Sequence, residues 1–333
     1  MTGLYPLKFV PILKERVWGG DRLRKEFGKD SKEGVIIGES WEISGVQGDI
    51  SLVANGFLEG NNLEEIIEVY MGDIVGEEVY EKFGNEFPLL IKLIDANDDL
   101  SIQVHPPDEL AKERHHAYGK TEMWYVLDAM KNAKIYTGFN GEMDKHSFIK
   151  SLEDGDIAEK LNIEKPGAGD VFFIPSGRIH AIGKGVILTE IQQTSDITYR
   201  IWDWNRNGLD GKPRELHTDL AVDAIDYKLY DSYITRINPE LNNSVNLIDC
   251  KYFTTNILEF NEPVNRDYSL NDSFVVYICV DGNTNLEWDG NSMIIKKGET
   301  ILIPAIIESI ILKPEKKARI LEVYIRKASK NKN

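Results

Sequence analysis

The chain has 333 residues, 42% of them hydrophobic, and a formal net charge of −16. That length can bury a large core and form more than one structural unit. The acidity disfavours non-specific binding to nucleic acid or anionic membranes, and an anionic ligand would need a local basic pocket.

In chain order, residues 1–58 read as short extended segments broken by glycine. "ESWEISGV" and "DISLVANG" are strand-like runs that end in turn signals. No long apolar run opens the chain, so neither a signal peptide nor a membrane span is expected. Residues 61–83 carry apolar residues at helical spacing with acids between, which predicts helices. "FPLLIKLIDANDDLSIQVHPP" predicts two strands around a turn at 97–99. "TEMWYVLDAMKNAKIYTGF" predicts a hairpin, and 142–162 a helical insertion. From Gly169 the pattern returns to strand, turn and strand, and 214–226 predicts a short helix. Cys250 and Cys279 lie in apolar surroundings and are expected to be buried thiols of a reducing, cytoplasmic compartment. The lysine-rich end, "RKASKNKN", is expected to be a solvated tail.

Many short strands with glycine and proline turns predict an antiparallel barrel or jelly roll. An internal repeat supports two copies of it. "KPGAGDVFFIPSGRIHAI" (165–182) resembles "KKGETILIPAIIESIIL" (296–312), and each follows a similar apolar segment, "EMWYVLDA" or "FVVYICVDG". Matching Tyr125 with Tyr277 sets Glu122 against Phe274. Matching Pro175 with Pro304 sets His180 against Ser309. The first copy therefore carries a carboxylate and an imidazole that the second lacks, which marks the first as the working one.

The segment "LSIQVHPP" sharpens the site. As a strand it points Leu100, Ile102 and Val104 to one face and Ser101, Gln103 and His105 to the other. A serine, an amide and an imidazole in a row are ligand-type groups. Gln103 and His105 together with Glu122 and His180 form a candidate metal set: imidazole nitrogen and carboxylate oxygen suit Zn²⁺, with an amide oxygen as a weaker ligand. His115, His116 and His146 lie in polar contexts and are expected to be exposed. Ser101 is a candidate phosphate-binding hydroxyl.

Four segments in order, "LSIQVHPPDELA", "GKTEMWYVLDA", "IPSGRIHAIGKG" and "QTSDITYRIWDW", together resemble the type I mannose-6-phosphate isomerases in their shorter bacterial form. The resemblance runs from "RVWGG" to "PRELH", with a weaker second unit to about residue 326. It implies a mainly β fold of two cupin-type jelly-roll barrels with short helical insertions. The expected domains are a catalytic one, 1–235, with helices near 61–83 and 142–162, and a second, degenerate one, 240–330, without metal ligands. It further implies one Zn²⁺ per chain on Gln103, His105, Glu122 and His180, and active-site roles for Lys120 and Arg200 in interconverting mannose 6-phosphate and fructose 6-phosphate. Trp18 and Glu42 match N-terminal motifs of the family, and packing is their expected role. The partner is a small sugar phosphate, with no nucleic acid or membrane, and the chain is expected as a monomer or homodimer.

That chemistry removes a proton alpha to a carbonyl and gives an enediol whose oxygens gather negative charge. Arg200, always protonated, suits fixed charge and forked hydrogen bonding to an enediolate or phosphate. Lys120 shares a strand face with Glu122 and can bind phosphate or shuttle a proton. Asp196, Glu190, His217, Lys120 and a zinc-bound water are the candidate bases, with Lys120 and the water ranked first. Two other readings stand beside this one: a cupin Fe(II) oxygenase, and a non-catalytic sugar-phosphate binder on the same fold.

Overall fold

The computed structural model describes residues 3–327; most of the predicted lysine-rich tail, 328–333, lies outside the described residues. Contacts divide the chain into two compact units. One holds Leu13–Trp41 and Leu89–Ile237; the other holds the N-terminal stretch to Ile12, Glu42–Pro88 and the chain from Asn238 onward. The expected division at 235–240 follows chain order. The contacts instead group the start of the chain and the helical stretch near 61–83 with the C-terminal part.

The first unit contains a jelly roll of eight strands: β1 Leu89–Ala96, β2 Ile102–Val104, β3 Glu122–Ala129, β4 Ile135–Phe139, β5 Leu161–Glu164, β6 Val171–Ile174, β7 His180–Ile182 and β8 Val186–Gln193. They form two antiparallel sheets in the orders β1-β8-β3-β6 and β2-β7-β4-β5. Strands Ile12–Gly20 and Ile37–Ser44 widen the first sheet beyond β1, and Tyr199–Trp202 widens the second beyond β2.

The second unit repeats the plan. Its strands are β9 Thr254–Phe260, β10 Val264–Asp267, β11 Val275–Asp281, β12 Asn283–Trp288, β13 Asn291–Lys296, β14 Thr300–Ile303, β15 Ser309–Pro314 and β16 Ala318–Tyr324. The sheet orders are β9-β16-β11-β14 and β10-β15-β12-β13, the first order with eight added to every label. This topology makes the internal repeat a repeat of whole barrels.

Three local expectations are corrected. β3 and β4 do not form a hairpin: β3 pairs with β8 and β6, β4 with β7 and β5, so the chain crosses from one sheet to the other between them. "DISLVANG" makes only isolated bridges at Leu52 and Val53. Residues 22–27, inside the stretch read as extended, form a helix that buries Leu23 and Phe27. The helices predicted near 61–83, 142–162 and 214–226 are present as Leu63–Tyr70, Gly72–Val75 and Glu77–Phe83, as Lys145–Asp154, and as Thr218–Ala224. An unforeseen helix, Asp108–His115, follows the two prolines after β2. Cys279 is buried as expected, whereas Cys250 is only half-buried.

The core explains the two faces of β2. Ile102 and Val104 pack with Phe139, Phe148, Tyr199 and Ile201, in a cluster that includes residues of the helices Lys145–Asp154 and Thr218–Ala224. Both faces of this short strand are therefore covered, one by that cluster and the other by the polar cluster described next.

Candidate active site

The strands bring Gln103, His105, Glu122 and His180 together. Gln103 on β2 stands directly opposite His180 on β7, so their side chains share a face. His105 follows two residues along, where Pro106 and Pro107 end the strand. The turn before His180 runs from Pro175 to Arg178, closed by the Arg178 N–H on the Pro175 carbonyl at 3.1 Å. Its third residue, Gly177, has φ 91°, which a type II turn requires and side-chain-bearing residues resist. The Gly177 N–H then donates to the His105 carbonyl at 2.8 Å, tying the two histidine-bearing segments together.

Each imidazole is oriented by its far nitrogen. His105 Nδ1 donates to the Ile197 carbonyl at 2.9 Å, and His180 Nδ1 to the Arg178 carbonyl at 2.8 Å. Both Nε2 atoms then carry lone pairs toward Glu122, each 3.4 Å from one of its carboxylate oxygens. Glu122 Oε1 is buried and has no hydrogen-bond partner. Lone pairs facing an orphaned carboxylate oxygen are a cluster built for a cation. His105, Glu122 and His180 offer ligand atoms within 4.8 Å of one another and are buried. The Gln103 amide lies 3.2 Å from His180 Nε2 and brings a carbonyl oxygen within a half-turn of its terminal torsion. The donor set fits a metal ion.

Burial, followed by the charge of Lys120, keeps His105 well below the ordinary imidazole range, and burial holds His180 down at about 4. Both are therefore neutral at pH 7, the form that binds metal. Burial and the neighbouring Glu190 push the Glu122 carboxyl up, against the pull of Lys120. For Glu190 burial also works upward, but Lys120, Lys92 and the Trp124 indole outweigh it and hold the group ionised.

Lys120 is buried, donates to Glu122, and lies 3.1 Å from His105 Nε2 and 3.8 Å from Glu190. Glu190 also receives Lys92 at 3.0 Å and the Trp124 indole N–H at 2.7 Å. Sequence reasoning names Glu190 only as one candidate base and does not name Lys92. The signal for Lys92 lies in "LLIKLIDA", a charge inside an otherwise apolar buried strand.

These groups border a cavity of about 590 Å³ within the first unit, lined among others by Ser101, Gln103, Lys120, Lys92, Glu190, Asp196 and Arg200. Arg200 stands opposite Gln103 across the pairing of Tyr199–Trp202 with β2. Ser101 is buried, with its hydroxyl 3.4 Å from the Gln103 amide oxygen. Asp196 is an exposed member of the lining. His217 is not part of the lining; its Nδ1 accepts the Arg200 backbone N–H at 3.2 Å. Trp18 is buried in the core beside Trp124 and Phe172 while also touching the cavity, and Glu42 is buried. His115, His116 and His146 are exposed, as expected, although His115 Nε2 lies 2.8 Å from the Tyr199 hydroxyl.

Comparison with known proteins identifies the family. The family model described as phosphomannose isomerase type I, catalytic domain, matches residues 7–138, and that of the mannose-6-phosphate isomerase cupin domain matches 243–325. The chain is 35% identical over 302 residues to the mannose-6-phosphate isomerase ManA of Bacillus subtilis, covering 90% of this chain and 93% of that protein. It is 40% identical over 224 residues to the mannose-6-phosphate isomerase of Streptococcus mutans, covering 66% and 67%. The crystal structure of a Bacillus subtilis mannose 6-phosphate isomerase superposes with a TM-score of 0.85 at 32% identity, covering 96% of this chain and 99% of that one. The chain is thus an isomerase with two cupin-type barrels, and it belongs to the type I mannose-6-phosphate isomerases.

Proposed function

We propose that the chain interconverts mannose 6-phosphate and fructose 6-phosphate through an enediol, with one zinc ion per chain held by Gln103, His105, Glu122 and His180. The observation that carries this reading is the convergence of two neutral Nε2 atoms on a buried carboxylate with an orphaned oxygen, beside the Lys120–Glu190–Lys92 chain of charges. Family membership favours the isomerase over the oxygenase and the non-catalytic binder.

A bound zinc ion would supply Lewis-acid stabilisation of the oxygens at C1 and C2 as they gain charge. The rest falls to the chain. Lys120, a buried residue of the cavity lining, is assigned as the group that moves the proton between C2 and C1, with ionised Glu190 orienting it. Arg200 faces the same cavity as a fixed cation, and Ser101 offers a hydroxyl there. Lys92 balances Glu190, so that the buried carboxylate does not stand uncompensated. A phosphorylated sugar as substrate agrees with a cytoplasmic setting.

The test is fructose 6-phosphate isomerisation by the purified chain, before and after chelation, with zinc added back. Activity lost to the chelator and restored by zinc is the expected result. A folded, zinc-loaded chain without turnover would overturn the reading.

A further inference from the structure

The strand Tyr199–Trp202 is the outermost of its sheet, so one row of its backbone groups has no strand to pair with. Arg200 stands in that row, and a single residue takes both of its groups. The Arg200 N–H donates to His217 Nδ1 at 3.2 Å, and the His217 N–H donates to the Arg200 carbonyl at 2.7 Å. Two residues before His217, the Glu215 carbonyl accepts from Arg200 Nη1 at 2.9 Å. Residues 215–217 thus clip Arg200 by its backbone, on the edge away from Gln103, and by its guanidinium.

His217 occupies the N-cap of the helix Thr218–Ala224, where a side-chain oxygen usually takes a free backbone N–H of the first turn. It makes no such bond. The imidazole is turned back onto the strand, its ring centre 6.4 Å from that of Tyr199, and the Tyr199 hydroxyl lies 2.8 Å from His115 Nε2. Burial, then the charge of Arg200, keeps His217 below the ordinary imidazole range, so the ring is neutral at pH 7 and Nδ1 accepts. The proton sits on Nε2, 4.0 Å from a Glu215 carboxylate oxygen. His217 does not line the cavity, whereas Arg200 does. Among the described residues no carboxylate pairs with the Arg200 guanidinium, and its buried Nε has no partner. The direction of that cation therefore depends on the clip.

We propose that His217 is a positioning residue for Arg200: by taking both backbone groups at the sheet edge it fixes the strand there and aims the guanidinium into the cavity. Its consequence for turnover rests on the proposed function, in which Arg200 is the fixed cation of the cavity. Outside the cavity, and with its lone pair committed to an amide N–H, His217 is no base for the sugar. A group displaced by about 1 Å from the reacting atoms can cost about 10²-fold in rate. A residue that touches no substrate can therefore govern kcat through the cation it aims.

The experiment uses the full chain with zinc in a double-mutant cycle of His217→Ala and Arg200→Ala, with mannose 6-phosphate kinetics and metal analysis on each variant. His217→Ala should lower kcat by about 10- to 100-fold with metal content unchanged. In the Arg200→Ala background the same substitution should change kcat by less than about twofold, because no guanidinium is left to aim. His217→Leu, which fills the space without an acceptor, serves if the alanine variant does not fold. Unchanged kcat in the folded variant would overturn the assignment. So would loss of metal, or equal losses of kcat in the two backgrounds, which is the signature of a structural role. Hydrogen exchange followed by NMR reads the clip without turnover: the Arg200 amide should exchange about tenfold faster in His217→Ala, and unchanged exchange would overturn the assignment. A parent enzyme without turnover would instead overturn the proposed function, and hydrogen exchange would still decide whether His217 holds Arg200.

Discussion

The two barrels share a topology and differ in what fills them. In the first, β3 and β8 place Trp124 opposite Glu190; in the second, β11 and β16 place Tyr277 opposite Glu322. Glu190 takes part in a network with Lys92 and Lys120 that borders an open cavity. Glu322 is closed off: Arg266 forms a forked pair with it at 2.8 and 3.0 Å, the Tyr268 hydroxyl donates to it at 2.5 Å, and Tyr268 bonds Tyr277. Arg266 stands opposite Ile310 as Gln103 stands opposite His180. Where the first barrel gathers lone pairs that ask for a cation, the second supplies the cation covalently as a guanidinium. The same fold can hold a reaction centre or a satisfied ion-pair core, and the choice depends on a handful of inward-facing side chains.

The largest effect expected is in the first barrel. His180→Ala should remove bound metal and lower isomerase activity by at least about 10²–10³-fold, the scale of losing electrostatic stabilisation of a charged intermediate. Metal analysis together with an activity assay checks this, and normal activity would break the contrast between the barrels. Arg200→Ala should cost roughly 10²-fold in activity while metal stays bound, since Arg200 is not among the candidate ligands. Metal loss in that variant would place the residue wrongly.

In the second barrel the expected change is in stability. Arg266→Met leaves the Glu322 carboxylate buried without its counter-ion, which should destabilise the fold by about 3–5 kcal/mol. Metal content of the folded variant should be unchanged. Denaturant unfolding with metal analysis would show whether the second centre is structural or shares in catalysis. The smallest effect expected is Ser101→Ala, which removes one neutral hydroxyl from the cavity wall. A loss of about one hydrogen bond predicts a KM change on the order of tenfold or less.

The polar face of "LSIQVHPP" and the asymmetry of the repeat are legible in the sequence, because strand alternation puts Ser101, Gln103 and His105 on one face by local geometry alone. The repeat alignment is right in kind, and its proline match holds, since Glu122 faces Ile174 as Val275 faces Ile303, but its tyrosine match is off by one in register. Matching Tyr125 with Tyr277 and Pro175 with Pro304 sets Glu122 against Phe274 and His180 against Ser309. The ladders instead make Trp124 and Tyr277 counterparts, so Val275 stands for Glu122 and Ile310 for His180. The asymmetry survives, since neither counterpart is a metal ligand. A slip of one residue exchanges the two faces of a strand, and likeness of single residues cannot detect it.

The sequence by itself determined most strands of the first barrel, the two copies and the chemical types in the first of them, since these follow from periodicity, turn residues and composition within short windows. Only the tertiary structure decided that β3 and β4 part into opposite sheets, that Lys92 joins Glu190, and that His217 clips Arg200 at the sheet edge. Each of these depends on strand pairing or loop closure, where residues distant in the chain are brought within a few ångströms. Such contacts leave no periodic signal in a single sequence.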